Sequence, residues 1–171
     1  MPPANRTAAI LASYGRFHRD PRNRRTHYVG VPAIVYSVLV PTALAVHPVP
    51  GVPLRLDRIV VAVAAIGYLW LDVGLGLALT AILALLAAAA EATAALGSSL
   101  ALTVAAVVFM AGWTLQLLGH RLEGNRPALL TNLAQILVAP AYLVAELAFA
   151  LGLRSSLRSA IERRLAGHAA P

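Results

Sequence analysis

The sequence predicts an all-α protein, a polytopic membrane helical bundle of four to five transmembrane helices with an interfacial helix at each end. Of its 171 residues, 59% are hydrophobic and only 12% are charged, which leaves too little polar surface to cover a water-soluble globule. Several uncharged runs approach the roughly 20 helical residues that cross a bilayer core of about 30 Å. The basic residues, all arginines, collect mainly at the two ends of the chain. Basic flanks around apolar runs are typical of membrane spans.

Two of the apolar runs have the length of a single crossing. Residues 28–46 form the first predicted span, which is uncharged and contains Pro32 and Pro41. Residues 100–119, also uncharged, form another. We expect both to be helical, because a backbone in lipid must satisfy its own hydrogen bonds.

The run at residues 59–90 is too long for one ordinary crossing and is interrupted only by Asp72. The segment from Asp72 to Gly76 contains two glycines, which loosen a helix, and an aspartate, which is costly at mid-membrane. We therefore predict a tight helical hairpin with arms at residues 56–71 and 75–92.

The last apolar stretch, residues 128–153, contains Pro140 at its middle, where proline removes a backbone donor and kinks or breaks a helix. This stretch either crosses once or turns back. The arginines that follow it favour re-entry, because they then lie on the same side as the basic N-terminal segment.

Amphipathic segments flank the spans. Before the first span, Asn5 is a candidate cap for a short helix carrying Leu11, Tyr14 and His18 on one side, and Asp20-Pro21 would end that helix. After the last span, apolar residues recur every four positions between arginines, which suits a helix on the membrane surface. These residues are Leu153, Leu157, Ile161 and Leu165. We predict one integral membrane domain over 1–171, with an interfacial segment at 1–27, a bundle at 28–153 and a basic tail at 154–171.

The arginine distribution predicts a cytoplasmic N-terminus, and the expected location is the bacterial inner membrane. The first 28 residues hold six arginines and no long apolar core, so they do not resemble a cleavable signal peptide. A net charge of +7 is also seen in nucleic-acid-binding proteins. We interpret it instead as span flanks and expect contact with membrane lipids and no nucleic acid. Without cysteine, any metal site must use nitrogen and oxygen ligands.

Counting crossings from a cytoplasmic N-terminus puts three histidines at one membrane face: His18, His27 and His120. Imidazole is the commonest neutral metal ligand, and three together favour a site for iron, zinc or manganese over isolated interfacial histidines. His47 falls on the opposite face and His168 in the tail, so neither is expected to be a ligand.

Other polar residues are candidates to complete the site. Glu123 lies three residues after His120, so one helical turn can present both to one ion. Gln116 lies on the same helical side and either bonds to a ligand or joins two helices. Asp72 reaches the same face and is either a ligand or a helix cap. Asn132 and Gln135 place two more amides on one side of a helix.

Two separated motifs carry a resemblance to a known family. The first is Tyr14-x3-His18-x4-Asn23-x3-His27-x2-Gly30-x-Pro32. The second is Trp113-x2-Gln116-x2-Gly119-His120-x2-Glu123, followed by Arg126-Pro127-Ala128-Leu129-Leu130-x-Asn132-Leu133-x-Gln135. In this order, over roughly residues 10 to 150, they resemble the fungal 2-hydroxy fatty acid dioxygenase family of phytosphingosine breakdown and its bacterial relatives. Thr131 departs from that pattern, where an aspartate is expected.

The resemblance implies an enzyme that uses Fe(II) and dioxygen to oxidise a 2-hydroxy fatty acid, or a related lipid, to the acid one carbon shorter. Carried over by position, the catalytic iron ligands would be His18, His27 and His120. Asn23, Gln116, Asn132 and Gln135 would support them. Arg126, Arg24 or Arg25 is a candidate to clamp the substrate carboxylate, because a guanidinium binds carboxylates in a bidentate fashion.

Two other functions fit the same sequence. One is a metal-dependent membrane hydrolase or hydroxylase that uses these ligands on another lipid. The other is a small transporter or lipid-binding membrane protein that catalyses no reaction. Transporters usually place polar residues at the bilayer midplane, whereas here the polar residues gather at one end of the spans, which favours an enzyme.

Overall fold

The computed structural model describes residues 3–49, 52–124 and 134–167. Within these ranges the chain forms seven helices and one two-stranded hairpin, which confirms the all-α helical bundle. The helices are α1 (Pro3–Gly15), α2 (Pro21–Leu44), α3 (Leu56–Leu71), α4 (Val73–Ala94), α5 (Ser98–Glu123), α6 (Ala134–Ala150) and α7 (Ser155–Ala166). Strands β1 (Val46–Val49) and β2 (Val52–Arg55) pair antiparallel between α2 and α3.

Helix α2 begins earlier than the predicted span at 28–46. The Asp20 side chain caps this helix by accepting a hydrogen bond from the Arg22 backbone amide at 2.8 Å. Pro21 occupies the first turn, where a backbone N–H would have no partner within the helix, so proline is tolerated there. Asp20-Pro21 therefore starts α2 and does not end α1. As a result His27 lies inside a helix, while His18 lies beyond α1, in the turn that follows Gly15. The prediction that α1 carries His18 was wrong.

The predicted hairpin of 56–71 and 75–92 is confirmed as α3 and α4, with the break at Asp72. Asp72 caps α4 by accepting the Leu75 amide at 3.0 Å. Gly76 is needed for the close turn, because a Cβ there would lie 2.6 Å from the backbone of Leu69.

Polar contacts identify the two ends of the bundle. At the end where α3 meets α4, the Thr7 hydroxyl of α1 donates a hydrogen bond to the Leu71 carbonyl oxygen at 2.7 Å. We call this end of the bundle the histidine end, because His18, His27 and His120 lie there. At the far end, the Tyr36 hydroxyl lies 2.6 Å from that of Thr93, and Arg58 binds Glu91 at 2.9 Å. Strand β1 follows α2 at the far end, so His47 lies opposite the other histidines, as predicted.

Among the described helices, three are long and apolar enough to cross a membrane: α2, α4 and α5. The bent pair of α6 and α7 makes a fourth if it counts as one broken span, and α3 has only 16 residues. In the three long helices, no more than 33% of the most apolar window is buried inside the protein. Most of their surface therefore faces outward, as expected for helices that contact lipid.

Helix α6 continues through Pro140, and residues near its two ends contact residues at the histidine end. The Gln135 amide donates to the Ser13 hydroxyl at 3.4 Å, and Arg154, just after α6, pairs with Asp72. The two helices α6 and α7 meet at a bend of 117°. A bend of this kind fits both predicted alternatives, a broken span and a segment that turns back. The part of the predicted stretch before residue 134 lies outside the described residues.

The apolar face of α7 packs on the protein. Leu157 and Ile161 are both buried in a core cluster with residues of α1, α4 and α6, including Leu11 and Tyr142. Leu153, the first residue of the predicted four-residue repeat, precedes the helix and is 57% exposed. The amphipathic pattern thus predicted a helix correctly, but the apolar stripe docks on α1 and α6.

Small residues let α2 and α5 approach closely. A Cβ at Gly30 would lie 3.0 Å from the Gly112 carbonyl oxygen, and a Cβ at Gly112 would lie 3.1 Å from that of Gly30. A Cβ at Gly119 would collide with the side chains of Asn23 and Thr26. This contact, typical of helix pairs in membranes, brings the start of α2 against the end of α5.

Candidate metal centre

Three buried histidines come together at the histidine end. Each offers one ring nitrogen, and these nitrogens all lie within 4.8 Å of one another. The group consists of His18 from the α1–α2 turn, His27 from the second turn of α2 and His120 from the last turn of α5. The crossing count predicted that residues so distant in the chain would share one end of the bundle, and the structure brings them together.

His18 is held by Tyr14 in two ways. Its Nδ1 lies 2.9 Å from the Tyr14 carbonyl oxygen, and its ring stacks on the Tyr14 ring with centroids 3.9 Å apart. Burial lowers the pKa of His18 to about 4, although the bond to the Tyr14 carbonyl opposes that shift. The imidazole is therefore neutral at pH 7, which is the form that binds a metal.

The hydrogen bonds of His18 and His27 determine which ring nitrogens carry protons. The Nδ1 of His27 lies 2.9 Å from the Asn23 carbonyl, as that of His18 does from Tyr14. Each Nδ1 must donate, because a carbonyl only accepts. Both Nε2 atoms then present lone pairs, and they lie 3.2 Å apart. Two lone pairs at this distance repel each other unless a cation lies between them.

His120 completes a set of nitrogen ligands. Its Nδ1 is buried and has no hydrogen-bond partner among the described residues. A buried polar atom without a partner is costly, and a metal ion bound with His18 and His27 would remove that cost. The residues present therefore fit a divalent metal such as iron or zinc, both of which accept imidazole.

Glu123 has partners other than the histidines. Its Oε1 accepts the backbone amides of Arg19, at 2.5 Å, and Asp20, at 3.1 Å, while its Oε2 accepts the side-chain amide of Asn23. The carboxylate thus joins the end of α5 to the turn that carries His18. Glu123 was predicted to be a metal ligand together with His120. In the structure it is not part of the group of three histidines whose nitrogens could hold a metal ion.

The other predicted residues divide into three sets. Gln116 and Gln135 line the same cavity as the three histidines, and each has one buried amide atom without a partner among the described residues. Asp72 caps α4 and pairs with Arg154, which matches its alternative role as a cap. Arg126 and Asn132 lie outside the described residues.

A cavity opens from the histidines into the bundle. Apart from the histidines and the two glutamines, its wall is mainly apolar and includes Val31, Ile34 and Val35 of α2. A mainly apolar cavity with a few convergent polar groups is typical of small-molecule sites.

Sequence reasoning missed two residues of α6 beside the site. The Tyr142 ring lies 6.3 Å from that of His18, and Glu146 binds Arg24 at 2.8 Å. The two are four residues apart and therefore share one face of a mainly apolar helix. That spacing of polar groups was a signal in the sequence that could have found them.

Comparison with known proteins identifies the family of the chain. The model of the family described as 2-hydroxy-palmitic acid dioxygenase Mpo1-like matches residues 4–151. The chain is 31% identical over 160 residues to the 2-hydroxy-palmitic acid dioxygenase MPO1 of Saccharomyces cerevisiae, covering 91% of this chain and 87% of the yeast protein. No solved structure matches the chain. With most of its length matched in this way, the chain belongs to the Mpo1-like family.

Proposed function

We propose that this protein is an Fe(II)-dependent membrane dioxygenase that shortens 2-hydroxy fatty acids by one carbon, with His18, His27 and His120 as the iron ligands. One observation carries the metal assignment, namely the two Nε2 lone pairs of His18 and His27 at 3.2 Å. The family and the yeast relative are both described as 2-hydroxy-palmitic acid dioxygenases, which supports the reaction.

The proposed reaction balances with dioxygen as the oxidant. The bond between the first two carbons breaks, the second carbon becomes the new carboxyl group, and the first leaves as carbon dioxide, with water as the other product. Bound iron would supply the redox chemistry that activates dioxygen. The chain contributes three neutral nitrogen ligands, whose Nδ1–H bonds to the carbonyls of Tyr14 and Asn23 fix two of the rings.

The cavity next to the histidines accounts for a lipid substrate. Val31 and Val35 follow His27 at intervals of four residues on α2, so they continue the same face away from the site. Ile34 and Ile136 add further apolar wall. An acyl chain in this cavity is shielded from water, and each buried methylene group contributes about 0.8 kcal/mol.

Metal analysis of the purified protein, followed by a product assay, tests the proposal. We expect iron-loaded protein to convert 2-hydroxy-palmitic acid to the acid one carbon shorter in air. The same sample should be inactive without oxygen. Iron-loaded protein that leaves the acid unchanged in air contradicts the proposed reaction.

A zinc-dependent hydrolase is the second candidate, because three histidines and one open position are also a ligand set of catalytic zinc. The neutral nitrogen set formed by the three histidines favours neither metal on its own. Hydrolysis needs no dioxygen. Lipid turnover by the zinc-loaded protein under anaerobic conditions would therefore support the hydrolase.

We also propose that the histidine end faces the cytoplasm of a bacterial cell. Arginines of the N-terminal segment, of the end of α5 and of α7 all lie at this end, whereas Arg55 and Arg58 lie at the other. Such an excess of arginine is typical of the cytoplasmic side.

A further inference from the structure

A second, more polar cavity lies beside the apolar one, and His18 lines both. Its wall includes Arg19, Arg24, Tyr142, Glu146 and Arg158. The histidine site is therefore bordered by an apolar cavity on one side and a charged cavity on the other. A fatty acid has the same two parts, an apolar chain and a charged head.

Three arginines line this cavity, and Arg24 is the one that shares a helix with a histidine of the site. It lies three residues before His27 and so on the same face of α2, and its side chain is 32% exposed. Arg158 pairs instead with Glu162 of the same helix, and both side chains are more than half exposed.

Arg24 already binds a carboxylate. Its Nη1 lies 2.8 Å from Oε2 of Glu146, whose side chain is 22% exposed. A guanidinium binds any carboxylate in the same way, often through two parallel hydrogen bonds. Glu146 therefore occupies the partner position that the carboxylate of a fatty acid would take, and the two compete for one guanidinium.

We propose that Arg24 binds the carboxylate of the substrate and that Glu146 holds the guanidinium in position until the substrate displaces it. This inference rests on the proposed function, since it takes a 2-hydroxy fatty acid as the ligand. With the head in the polar cavity and the chain in the apolar one, the first carbons of the acid lie beside His18, the residue common to both. Arg25, the neighbouring candidate, is exposed and lines neither cavity.

Binding of 2-hydroxy-palmitic acid and of its methyl ester to the full chain in detergent micelles tests the proposal. Isothermal titration calorimetry is done on metal-free protein and on anaerobic iron-loaded protein. Arg24→Gln should weaken binding of the acid about tenfold, because a charge-assisted bond is lost, and leave binding of the uncharged ester unchanged. Unchanged binding of the acid, or an equal loss for acid and ester, overturns the proposal.

Glu146→Gln gives an effect of the opposite sign. Removing the competing carboxylate should tighten binding of the acid by about threefold, which corresponds to less than 1 kcal/mol. If the ion pair only stabilised the fold, both variants would weaken binding. Unchanged or weaker binding of the acid by Glu146→Gln therefore overturns the proposal, even if Arg24→Gln fails to fold.

Two further measurements test whether the effect is specific to Arg24 and to the fatty acid. Arg58→Gln removes the guanidinium of the ion pair with Glu91 at the far end and should leave acid binding unchanged. If phosphatidylglycerol added to the micelles abolishes the difference between the parent and Arg24→Gln, Arg24 binds lipid headgroups and the proposal is wrong. These measurements detect binding without turnover. If the unsubstituted protein binds the acid through Arg24 but never converts it, the proposed function is contradicted and the proposed role of Arg24 is not.

Discussion

His18 and His27 face each other with their Nε2 atoms 3.2 Å apart, while the Nδ1 atom of each ring donates to a backbone carbonyl. The carbonyls belong to residues four positions earlier in the chain, Tyr14 and Asn23. Each ring is thus oriented by its own local backbone, and the two lone pairs meet only because the turn between α1 and α2 folds back. A bound cation relieves their repulsion.

Removal of the third histidine tests whether the cluster binds metal. His120→Ala should lower the affinity for Fe(II) by more than about 100-fold, because the remaining pair offers only two nitrogens. The measurement is iron content after purification, together with the rise in melting temperature when Fe(II) is added. His47→Ala, at the far end, is the matched control and should bind iron normally. Full iron occupancy in His120→Ala would exclude this residue as an essential ligand.

Glu123→Gln separates a ligand from a residue that holds the turn. The amide keeps the size of the side chain but loses the charge that binds the amides of Arg19 and Asp20. We expect a loss of about 1–3 kcal/mol in the free energy of unfolding, measured by denaturation in detergent, with iron still bound at saturating Fe(II). A stable variant that no longer binds iron would instead make Glu123 a ligand.

Filling the apolar cavity should change the preference for chain length. Val35 lies eight residues, or about 12 Å along the helix, from His27. Val35→Phe should therefore reduce turnover of long 2-hydroxy acids more than that of short ones. The measurement is kcat/KM for acids of increasing length. Val38→Phe, at an exposed position on the outer face of α2, is the control. An equal reduction at every chain length would indicate that the acyl chain does not reach Val35.

The orientation in the membrane is accessible to labelling, because the chain contains no cysteine. Ser156→Cys in α7 and Val46→Cys in β1 place single thiols at exposed positions of the two ends. A membrane-impermeant maleimide added to intact cells should label only the Val46→Cys variant. Labelling of Ser156→Cys alone would reverse the orientation, and labelling of both would mean that the two positions share one compartment.

Much of the fold follows from local pattern. The division of the long run at Asp72 was predictable, because an aspartate and two glycines interrupt 32 apolar residues, and the structure places α3 and α4 on either side of it. The start of α2 was not predicted, because the cap formed by Asp20 was interpreted as the end of the preceding helix. Aspartate followed by proline can end one helix or begin the next.

The candidate site likewise combines features that the sequence predicts with features that it does not. The three histidines were predictable as a group, since the number of crossings between them follows from apolar lengths. The partners of individual polar groups were not. Arg24 and Glu146 are 122 residues apart, and nothing near either of them specifies the other.

The sequence alone determined that this chain is a bundle of apolar helices with three histidines at one end, because polarity and spacing along the chain decide which segments can lie in lipid. Only the tertiary structure decided which of the polar groups at that end are available to a metal or substrate. The Glu123 carboxylate, one helical turn from His120, is engaged by a backbone turn about 100 residues away. A hydrogen bond forms only if the donor and acceptor atoms are placed to within a few tenths of an ångström. The packing of α2 against α5 sets those positions.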